Sequence, residues 1–315
     1  MRKWKQRLFS LLLCGAMLAS LCPAALAEDS SIPYLDENGD EQSCEKYTLA
    51  TRDDTEWSNS WYVVENSVGI VNRVTISGDV HLILADTCNL KVGGGIQVSK
   101  GNSLTIYAQS TEGDMGTLYA IGFSGDAGIG GNDGVDGGTI NISGGTVMAS
   151  GAEGAGIGGG ASGNGGQITI NGGTVGATSY SGAGIGGGYE GDGGKITING
   201  GTVTATGGGG EGGSGGAGIG GGNGGDGGEI NISGGTVEAT SKGYGAGIGG
   251  GYGHNGVTIT ISGGTVTATS EGNGTGIGGG GWGVTTAPSA PGKTATPLLW
   301  RPVYRIRSAK INGAA

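Results

Sequence analysis

The stretch Gln167-Ile-Thr-Ile-Asn-Gly-Gly-Thr-Val-Gly-Ala-Thr178 decides the fold of this chain. Its isoleucines alternate with a threonine, and its valine and alanine alternate with small or polar residues, so both halves have the period of two that is typical of β-strands. The Asn-Gly-Gly between the halves favours a turn with positive φ. The stretch therefore predicts two short strands joined by a tight turn. We expect a third short strand at Ala183-Gly-Ile185.

The same unit recurs along the chain at a nearly fixed period. The tag Gly-Ile-Gly-Gly has its isoleucine at positions 129, 157, 185, 219, 248 and 277, which gives steps of 28, 28, 34, 29 and 29 residues. A second tag, Gly-Gly-Thr-Val, lengthens at the same repeat, where residues 207–216 are inserted. An insertion in one repeat that leaves the others in phase indicates a solenoid.

Aligned repeats place one residue type at each inward position. The columns contain isoleucine at 140, 168, 196, 230 and 259, isoleucine at 142, 170, 198, 232 and 261, valine at 147, 175, 203, 237 and 266, and alanine at 149, 177, 205, 239 and 268. Such columns are expected when each repeat is one coil, stacked about 4.8 Å above the last. The sequence thus predicts an all-β fold, a right-handed single-stranded parallel β-helix (a solenoid) with coils of about 29 residues.

The rest of the chain is organised around this repeat. Residues 1–27 have the basic start, apolar centre and Ala-Leu-Ala end of a signal peptide, so we expect a secreted, extracellular protein at the cell surface, without membrane insertion. We expect an N-terminal cap at 28–66, irregular first coils at 67–126 and regular glycine-rich repeats at 127–281. Residues 282–315 form a non-repeat basic tail, which we interpret as the product of a reading-frame slip, with a basic linker as the alternative.

Charge and cysteine content narrow the classes of partner. The net charge is −10, and residues 28–282 carry 26 acidic residues against 7 basic ones. Such a chain disfavours nucleic acid as a partner and is compatible with divalent cations.

Cys44 and Cys88 remain once the signal peptide is removed, and either a disulfide or buried free thiols would fit; for Cys88 we favour a free thiol.

The region from Val74 to Tyr107, followed by repeats of Ile-Thr-Ile-Asn/Ser-Gly-Gly-Thr-Val and Gly-Ala-Gly-Ile-Gly-Gly-Gly, resembles a known group. It is similar to the glycine-rich β-helix proteins of Gram-positive anaerobic bacteria, described as carbohydrate-binding domain-containing surface proteins. The resemblance covers roughly residues 50–282. It implies a right-handed β-helix that binds acidic plant polysaccharide with calcium and does not cleave it. It assigns no binding residue, because the matching tags are core positions.

Aspartates recur just before the first strand of several repeats, at Asp136, Asp192 and Asp226, with Asn164 and Asn255 at the same place. Carboxylates one coil apart are suited to holding calcium between coils. Asp-Gly and Asn-Gly also supply ordinary turn chemistry, which we prefer as the explanation. Both interpretations remain open, and calcium is the only cofactor that the sequence raises.

Tyrosines lie near the Gly-Ile-Gly-Gly tag in two of the repeats, and Tyr189 and Tyr252 occupy equivalent loop positions. Tyr189 and Tyr252 follow the Gly-Gly-Gly tag, and Tyr180 and Tyr244 precede the tag in the same repeats. Exposed aromatic rings stack on sugar rings, and a row of them along the solenoid axis would suit a linear polymer. Ordinary surface tyrosines are the alternative.

Catalysis is disfavoured by the residues that the chain lacks. A polysaccharide lyase needs an arginine or lysine base beside carboxylates, but no arginine lies between Arg73 and Arg301, and the lysines of the repeats, Lys195 and Lys242, are not equivalent. For a hydrolase, the pairs Glu190 with Asp192 and Glu229 with Glu238 are conceivable, although scattered surface acids are commoner. His81 and His254 lack metal-ligand spacing, and we interpret both as exposed loop residues.

Rows of outward threonines also occur, a pattern known from ice-binding β-helices. Because Asn141, Met148, Gly176 and Glu238 interrupt the rows, the sequence disfavours ice binding. The sequence therefore predicts a non-catalytic carbohydrate-binding protein, a monomer whose partner is a polysaccharide or a host or cell-wall glycan, with calcium as an optional requirement. The alternative is a structural, adhesin-like stalk with no ligand of its own, and a polysaccharide lyase is a distant third.

Overall fold

The computed structural model of the protein describes residues 31–256, 258–282 and 308–312. The chain divides into two compact units, Met1–Ile32 and Pro33–Ala315, and the second contains the repeats. The predicted signal peptide and most of the basic tail, with its proposed reading-frame slip, lie outside the described residues. Among the described residues, no helix is long and apolar enough to cross a membrane.

The described residues of the second unit form β-strands, joined by turns and by one short 3-10 helix, Glu211–Gly213. The first strands are β1 (Ile32–Leu35), β2 (Glu41–Cys44), β3 (Thr48–Leu49) and β4 (Glu56–Ser58). Three irregular coils follow, formed by β5 (Trp61–Val64), β6 (Ser67–Ile70), β7 (Val74–Ser77), β8 (Asp79–Leu84), β9 (Asn89–Val92), β10 (Ile96–Gln97), β11 (Ser103–Ala108), β12 (Thr117–Ile121) and β13 (Ile129–Gly130).

Five regular coils follow in the described part of the chain. They are formed by β14 (Thr139–Ile142), β15 (Thr146–Ser150), β16 (Ile157–Gly158), β17 (Gln167–Ile170), β18 (Thr174–Thr178), β19 (Ile185–Gly186), β20 (Lys195–Ile198), β21 (Thr202–Gly207), β22 (Ile219–Gly220), β23 (Glu229–Ile232), β24 (Thr236–Ser241), β25 (Ile248–Gly249), β26 (Thr258–Ile261), β27 (Thr265–Ser270) and β28 (Ile277–Gly278). A last strand, β29 (Ser308–Asn312), pairs antiparallel with β27.

Each coil contributes one strand to each of three parallel sheets. The first sheet runs from β5 through β8 and every third strand to β26, the second from β6 to β27, and the third from β4 and β7 to β28. The pairing register joins equivalent positions of successive repeats, so that Ile168 lies beside Ile196 and Val175 beside Val203. The predicted right-handed parallel β-helix is confirmed.

The interior contains the four predicted columns of apolar residues. All twenty of these side chains are buried, and the least buried, Ile261, is 7% exposed. A fifth column comes from the third sheet, where Ile129, Ile157, Ile185, Ile219 and Ile248 are fully buried. Each coil thus buries about five aliphatic side chains against its neighbours, and each such side chain contributes about 1.5–3 kcal/mol when fully buried.

Glycine is required in the third sheet because successive coils approach closely there. The glycine of each Ile-Gly strand has φ between 128° and 140°, at Gly130, Gly158, Gly186, Gly220, Gly249 and Gly278. A Cβ at Gly186 would lie 2.0 Å from the carbonyl oxygen of Gly220. The strand is shorter at its start than predicted, since pairing begins at Ile185 and not at Ala183.

Two strands of the segment predicted as the N-terminal cap, residues 28–66, already pair in parallel with strands of the β-helix. Thr48–Leu49 pairs with β5, and Glu56–Ser58 pairs with β7. Trp57 is fully buried at this end and stacks on Tyr62 with ring centroids 5.3 Å apart. Its indole N–H donates to Asp54 Oδ2 (2.8 Å), which satisfies the one polar group of the ring.

Both cysteines of the described region are free thiols, so the alternative of a disulfide is wrong for this structure. Cys88 is 2% exposed, and burial raises its pKa to about 11. It lies in the turn between β8 and β9. At neutral pH this thiol is protonated and unreactive.

Candidate functional site

The two loops that flank the third sheet bond to each other across its outer side. The loop before the sheet in one coil accepts hydrogen bonds from the loop after the sheet in the next coil: the Tyr189 N–H donates to Glu153 O (2.8 Å), the Asn223 N–H to Ser181 O (3.2 Å) and the Tyr252 N–H to Gly215 O (3.1 Å). A continuous loop layer therefore covers this side of the helix.

All four predicted tyrosines lie on this loop layer. Tyr180 is 60% exposed and Tyr189 is 37% exposed, while Tyr244 and Tyr252 are half-buried. Tyr189 and Tyr252 occupy equivalent positions two coils apart, which corresponds to about 9.6 Å along the axis, and Tyr180 and Tyr244 precede the third-sheet strand of the same two coils. We call Tyr180, Tyr189, Tyr244 and Tyr252 with their loops the tyrosine surface.

The structure brings one of these pairs into contact. The rings of Tyr244 and Tyr252 are 5.7 Å apart with an interplanar angle of 43°, whereas Tyr180 and Tyr189 make no such ring contact. The inserted loop lies against the same pair, because a Cβ at Gly213 would lie 3.0 Å from Tyr244 Cζ. The inserted loop therefore packs against the ring of Tyr244, a contact that the sequence did not predict.

The predicted aspartates form a hydrogen-bonded ladder along one corner of the helix. Asp136 Oδ1 accepts the Asn164 N–H (2.9 Å), and Asn164 Oδ1 accepts the Asp192 N–H (2.9 Å). Asp192 Oδ1 in turn accepts the Asp226 N–H (2.8 Å), and Asp226 Oδ1 accepts the Asn255 N–H (2.9 Å). One oxygen of each side chain is thus used to bind the backbone of the next coil.

This ladder gives the aspartates a structural role without calcium. Asn164 separates Asp136 from Asp192, so only Asp192 and Asp226 are carboxylates on adjacent coils. Nitrogen-bearing side chains lie beside two of the aspartates: His254 Nδ1 lies 3.3 Å from Asp226 Oδ1, and Lys100 Nζ lies 3.8 Å from Asp136 Oδ2. Within the described part of the chain, no group of three or more His, Cys, Asp or Glu side chains is arranged to hold a metal ion.

Two replacements of Asp192 distinguish a structural role in the hydrogen-bonded ladder from a role as a calcium ligand. Asp192→Ala should lower the free energy of unfolding by about 1 kcal/mol, because the Asp226 N–H loses its acceptor. Asp192→Asn keeps an Oδ1 acceptor and should match the wild type within about 0.5 kcal/mol. Urea unfolding followed by circular dichroism, with calcium and with chelator, measures both. A loss of stability in Asp192→Asn that appears only with calcium would show that the carboxylate holds the ion.

The sequence missed an aromatic cluster on the outer face of the first sheet. Trp61 stacks on His81 with centroids 4.3 Å apart, and Tyr34 contacts both Trp61 and Tyr107. His81 Nδ1 lies 3.2 Å from the Tyr107 hydroxyl, and its Nε2 lies 3.3 Å from Asp79 Oδ2. The expectation that His81 is an exposed loop residue is wrong, since it is half-buried in β8.

This cluster attaches the N-terminal segment 33–47 to the β-helix. Leu35 pairs antiparallel with Ala108, and burial raises the pKa of Tyr107 to about 12. The outward side chains of Val63 and Ile83 are fully buried although they lie on the outer face. The cluster is therefore best explained as packing, and its only sequence signal was the unusual density of aromatic residues before the regular repeats.

A small cleft lies between this segment and the corner turns of three coils. It has a volume of about 160 Å³ and is lined by Asp36, Glu37, Ser143 and Asn171, among others. Asp36 Oδ1 accepts the backbone N–H groups of Asn38 and Asp40, which hold the pKa of this carboxyl below its ordinary value. A carboxylate that is stabilised in its charged form is unsuited to act as a general acid.

Arg73 is the one arginine within the described coils, and its side chain is hydrogen-bonded to neighbouring coils. Its guanidinium donates to Asn132 Oδ1 (2.7 Å) and to the carbonyls of Gly94 (2.7 Å) and Ala127 (2.8 Å). Burial lowers its pKa to about 10, so the group remains a cation at neutral pH. A charged, fully bonded guanidinium is not free to serve as the base of a lyase.

The fold and its repeats define a class, that of parallel β-helix repeat proteins. Five segments of the chain match the model of the family described as Beta helix repeat, at residues 113–133, 140–161, 168–189, 230–252 and 259–281. They correspond to the last irregular coil and to four of the five regular coils. Searches of curated proteins and of solved structures gave no match.

Proposed function

We propose that this β-helix protein is a secreted, non-catalytic polysaccharide-binding protein that acts as a monomer and binds through the tyrosine surface. The observation that carries the proposal is the Tyr244–Tyr252 ring pair, together with the exposed Tyr180 and Tyr189 on the same loop layer two coils away. Repetition along the axis is the arrangement that a linear polymer of like sugars requires. Aromatic rings of this kind bury the apolar faces of sugars while leaving the sugar hydroxyls hydrated.

The charge near the tyrosines favours an uncharged polymer. Glu153 and Glu190 lie in the same loops, and residues 28–282 carry 26 acidic residues against 7 basic ones. An acidic polysaccharide would be repelled by this surface unless cations were bound between the two. Calcium-dependent binding of an acidic polymer therefore stays as the second form of the proposal.

Removing the ring pair should weaken binding without unfolding the protein. Tyr244→Ala combined with Tyr252→Ala should raise the Kd for a bound polysaccharide about tenfold, since ring stacking contributes about 0.5–1.5 kcal/mol for each contact. Affinity electrophoresis and pull-down on neutral and acidic plant and cell-wall polysaccharides, with calcium or with chelator, measure the change. The control is Tyr119→Ala, because Tyr119 is 40% exposed but lies on the second sheet.

The outcomes distinguish the three interpretations. Retention on neutral polymers that the double variant loses supports the tyrosine surface, and retention on acidic polymers only with calcium supports the cation-dependent form. A folded protein that is retained on no polymer would favour a structural stalk. Release of unsaturated sugar products from an acidic polymer would show that the protein is a lyase.

A further inference from the structure

Threonine side chains cover the outer face of the second sheet in register. Strand pairing places six of them in one unbroken column: Thr117, Thr146, Thr174, Thr202, Thr236 and Thr265. A second column is unbroken over the last four coils, with Thr178, Thr206, Thr240 and Thr269. The strand register therefore shows continuous columns of threonine that the sequence pattern alone did not reveal.

The interruptions are fewer than the sequence indicated. Asn141 lies in the first sheet and does not belong to this face. Met148, Gly176 and Glu238 all fall in the middle column, between the two threonine columns. In the last three coils, Glu238 is the one exception among nine outward positions, which are otherwise occupied by Thr202, Thr204, Thr206, Thr236, Thr240, Thr265, Thr267 and Thr269.

These threonines form a rigid two-dimensional lattice. Neighbouring coils are spaced about 4.8 Å apart, and outward positions along one strand are spaced about 6.6–6.8 Å apart. Threonine is β-branched and strongly restricted at χ1, so each residue holds its hydroxyl and methyl in a fixed direction. Thr202, Thr204, Thr236 and Thr265 are exposed, and the other members of the lattice are half-exposed.

The chemistry of this face differs from that of a sugar site. The last three coils present no aromatic ring and a single charge here, whereas ligand sites for sugars combine rings with converging polar groups in a concave surface. The threonine lattice instead presents hydroxyl groups at regular spacings, where each can donate to and accept from water. We propose that the threonine face binds the ordered water of an ice surface.

Inhibition of ice recrystallisation by the full-length protein tests this proposal. Thr204→Lys places a long charged chain in the middle column of the lattice, one coil away from Glu238, and we expect the concentration needed for half-maximal inhibition to rise about tenfold. Thr260→Lys is the matched control, because Thr260 is also an exposed, outward strand residue but lies on the first sheet. Glu238→Thr completes the nine positions and should lower the required concentration.

Each outcome decides the proposal independently of polysaccharide binding. The variant with alanine at positions 244 and 252 should inhibit recrystallisation as the wild type does, because its replacements lie on the tyrosine surface. Wild-type protein that does not slow recrystallisation, or equal effects of Thr204→Lys and Thr260→Lys, would overturn the proposal. If Thr204→Lys fails to fold, as judged by circular dichroism, an unchanged result for Glu238→Thr would overturn it.

Discussion

Gly186→Ala should destabilise the protein by more than about 4 kcal/mol, enough to prevent recovery of a folded chain. The added Cβ would lie 2.0 Å from the carbonyl oxygen of Gly220, and the residue would have to keep φ near 133°. Neither strain can be relieved by a side-chain rotation, since the opposing atom belongs to the backbone of the next coil. Moving that coil away would break the hydrogen bonds between β19 and β22.

Two control replacements at other glycines distinguish the steric clash at Gly186 from the conformational cost of replacing any glycine by alanine. Gly69→Ala, in β6, meets no atom within 4 Å and has no positive φ, so it should change stability by less than about 0.5 kcal/mol. Gly39→Ala also meets no atom but has φ of 83°, which isolates the conformational cost of about 1–2 kcal/mol. Thermal unfolding followed by circular dichroism ranks the three. A midpoint for Gly186→Ala close to that of Gly39→Ala would contradict the close approach of coils in the third sheet.

The regular coils could be predicted because each repeat confirms the others. The two-residue period of Ile168 and Ile170 predicts a strand only weakly by itself, but identical columns over five coils leave one stacking direction. The third strand was predicted at its isoleucine, and its start was misplaced because glycine carries no side-chain pattern. The tyrosine surface was predicted as loop positions, since it follows the same tags.

The parts of the structure that could not be predicted depend on contacts that occur only once and have no equivalent in the other coils. Nothing in the sequence links Arg73 to Asn132, which are 59 residues apart, or Tyr34 to Trp61 and Tyr107. The irregular coils also change length, because Trp61 pairs with His81 and His81 pairs with Thr105 before the regular step is established. For the ladder at Asp192, the position was visible in the sequence, but the backbone donor of the next coil was not.

Arg73→Met should lower the free energy of unfolding by about 3 kcal/mol or more, because it removes the guanidinium that binds the buried carbonyls of Gly94 and Ala127 and the side chain of Asn132. The guanidinium lies in the turn between β6 and β7 and reaches carbonyls in each of the next two coils, including Gly130 (3.2 Å) and Gly131 (3.3 Å). In a solenoid each coil normally contacts its immediate neighbours alone. This one side chain therefore ties three successive coils together at the irregular end of the helix.

Loss of that tie should also change how the protein unfolds. We expect the N-terminal coils of Arg73→Met to unfold at lower urea than the regular coils, which would appear as a second transition in circular dichroism and as early proteolysis before residue 132. Arg73→Lys should recover only part of the loss, since an ammonium group cannot match the planar fork of donors. Arg52→Met is the control, because Arg52 is exposed and its contact with Asp53 is 3.9 Å long. A single transition in Arg73→Met at the wild-type midpoint would mean that the guanidinium does not hold the coils together, and that the sheets alone couple the irregular coils to the regular ones.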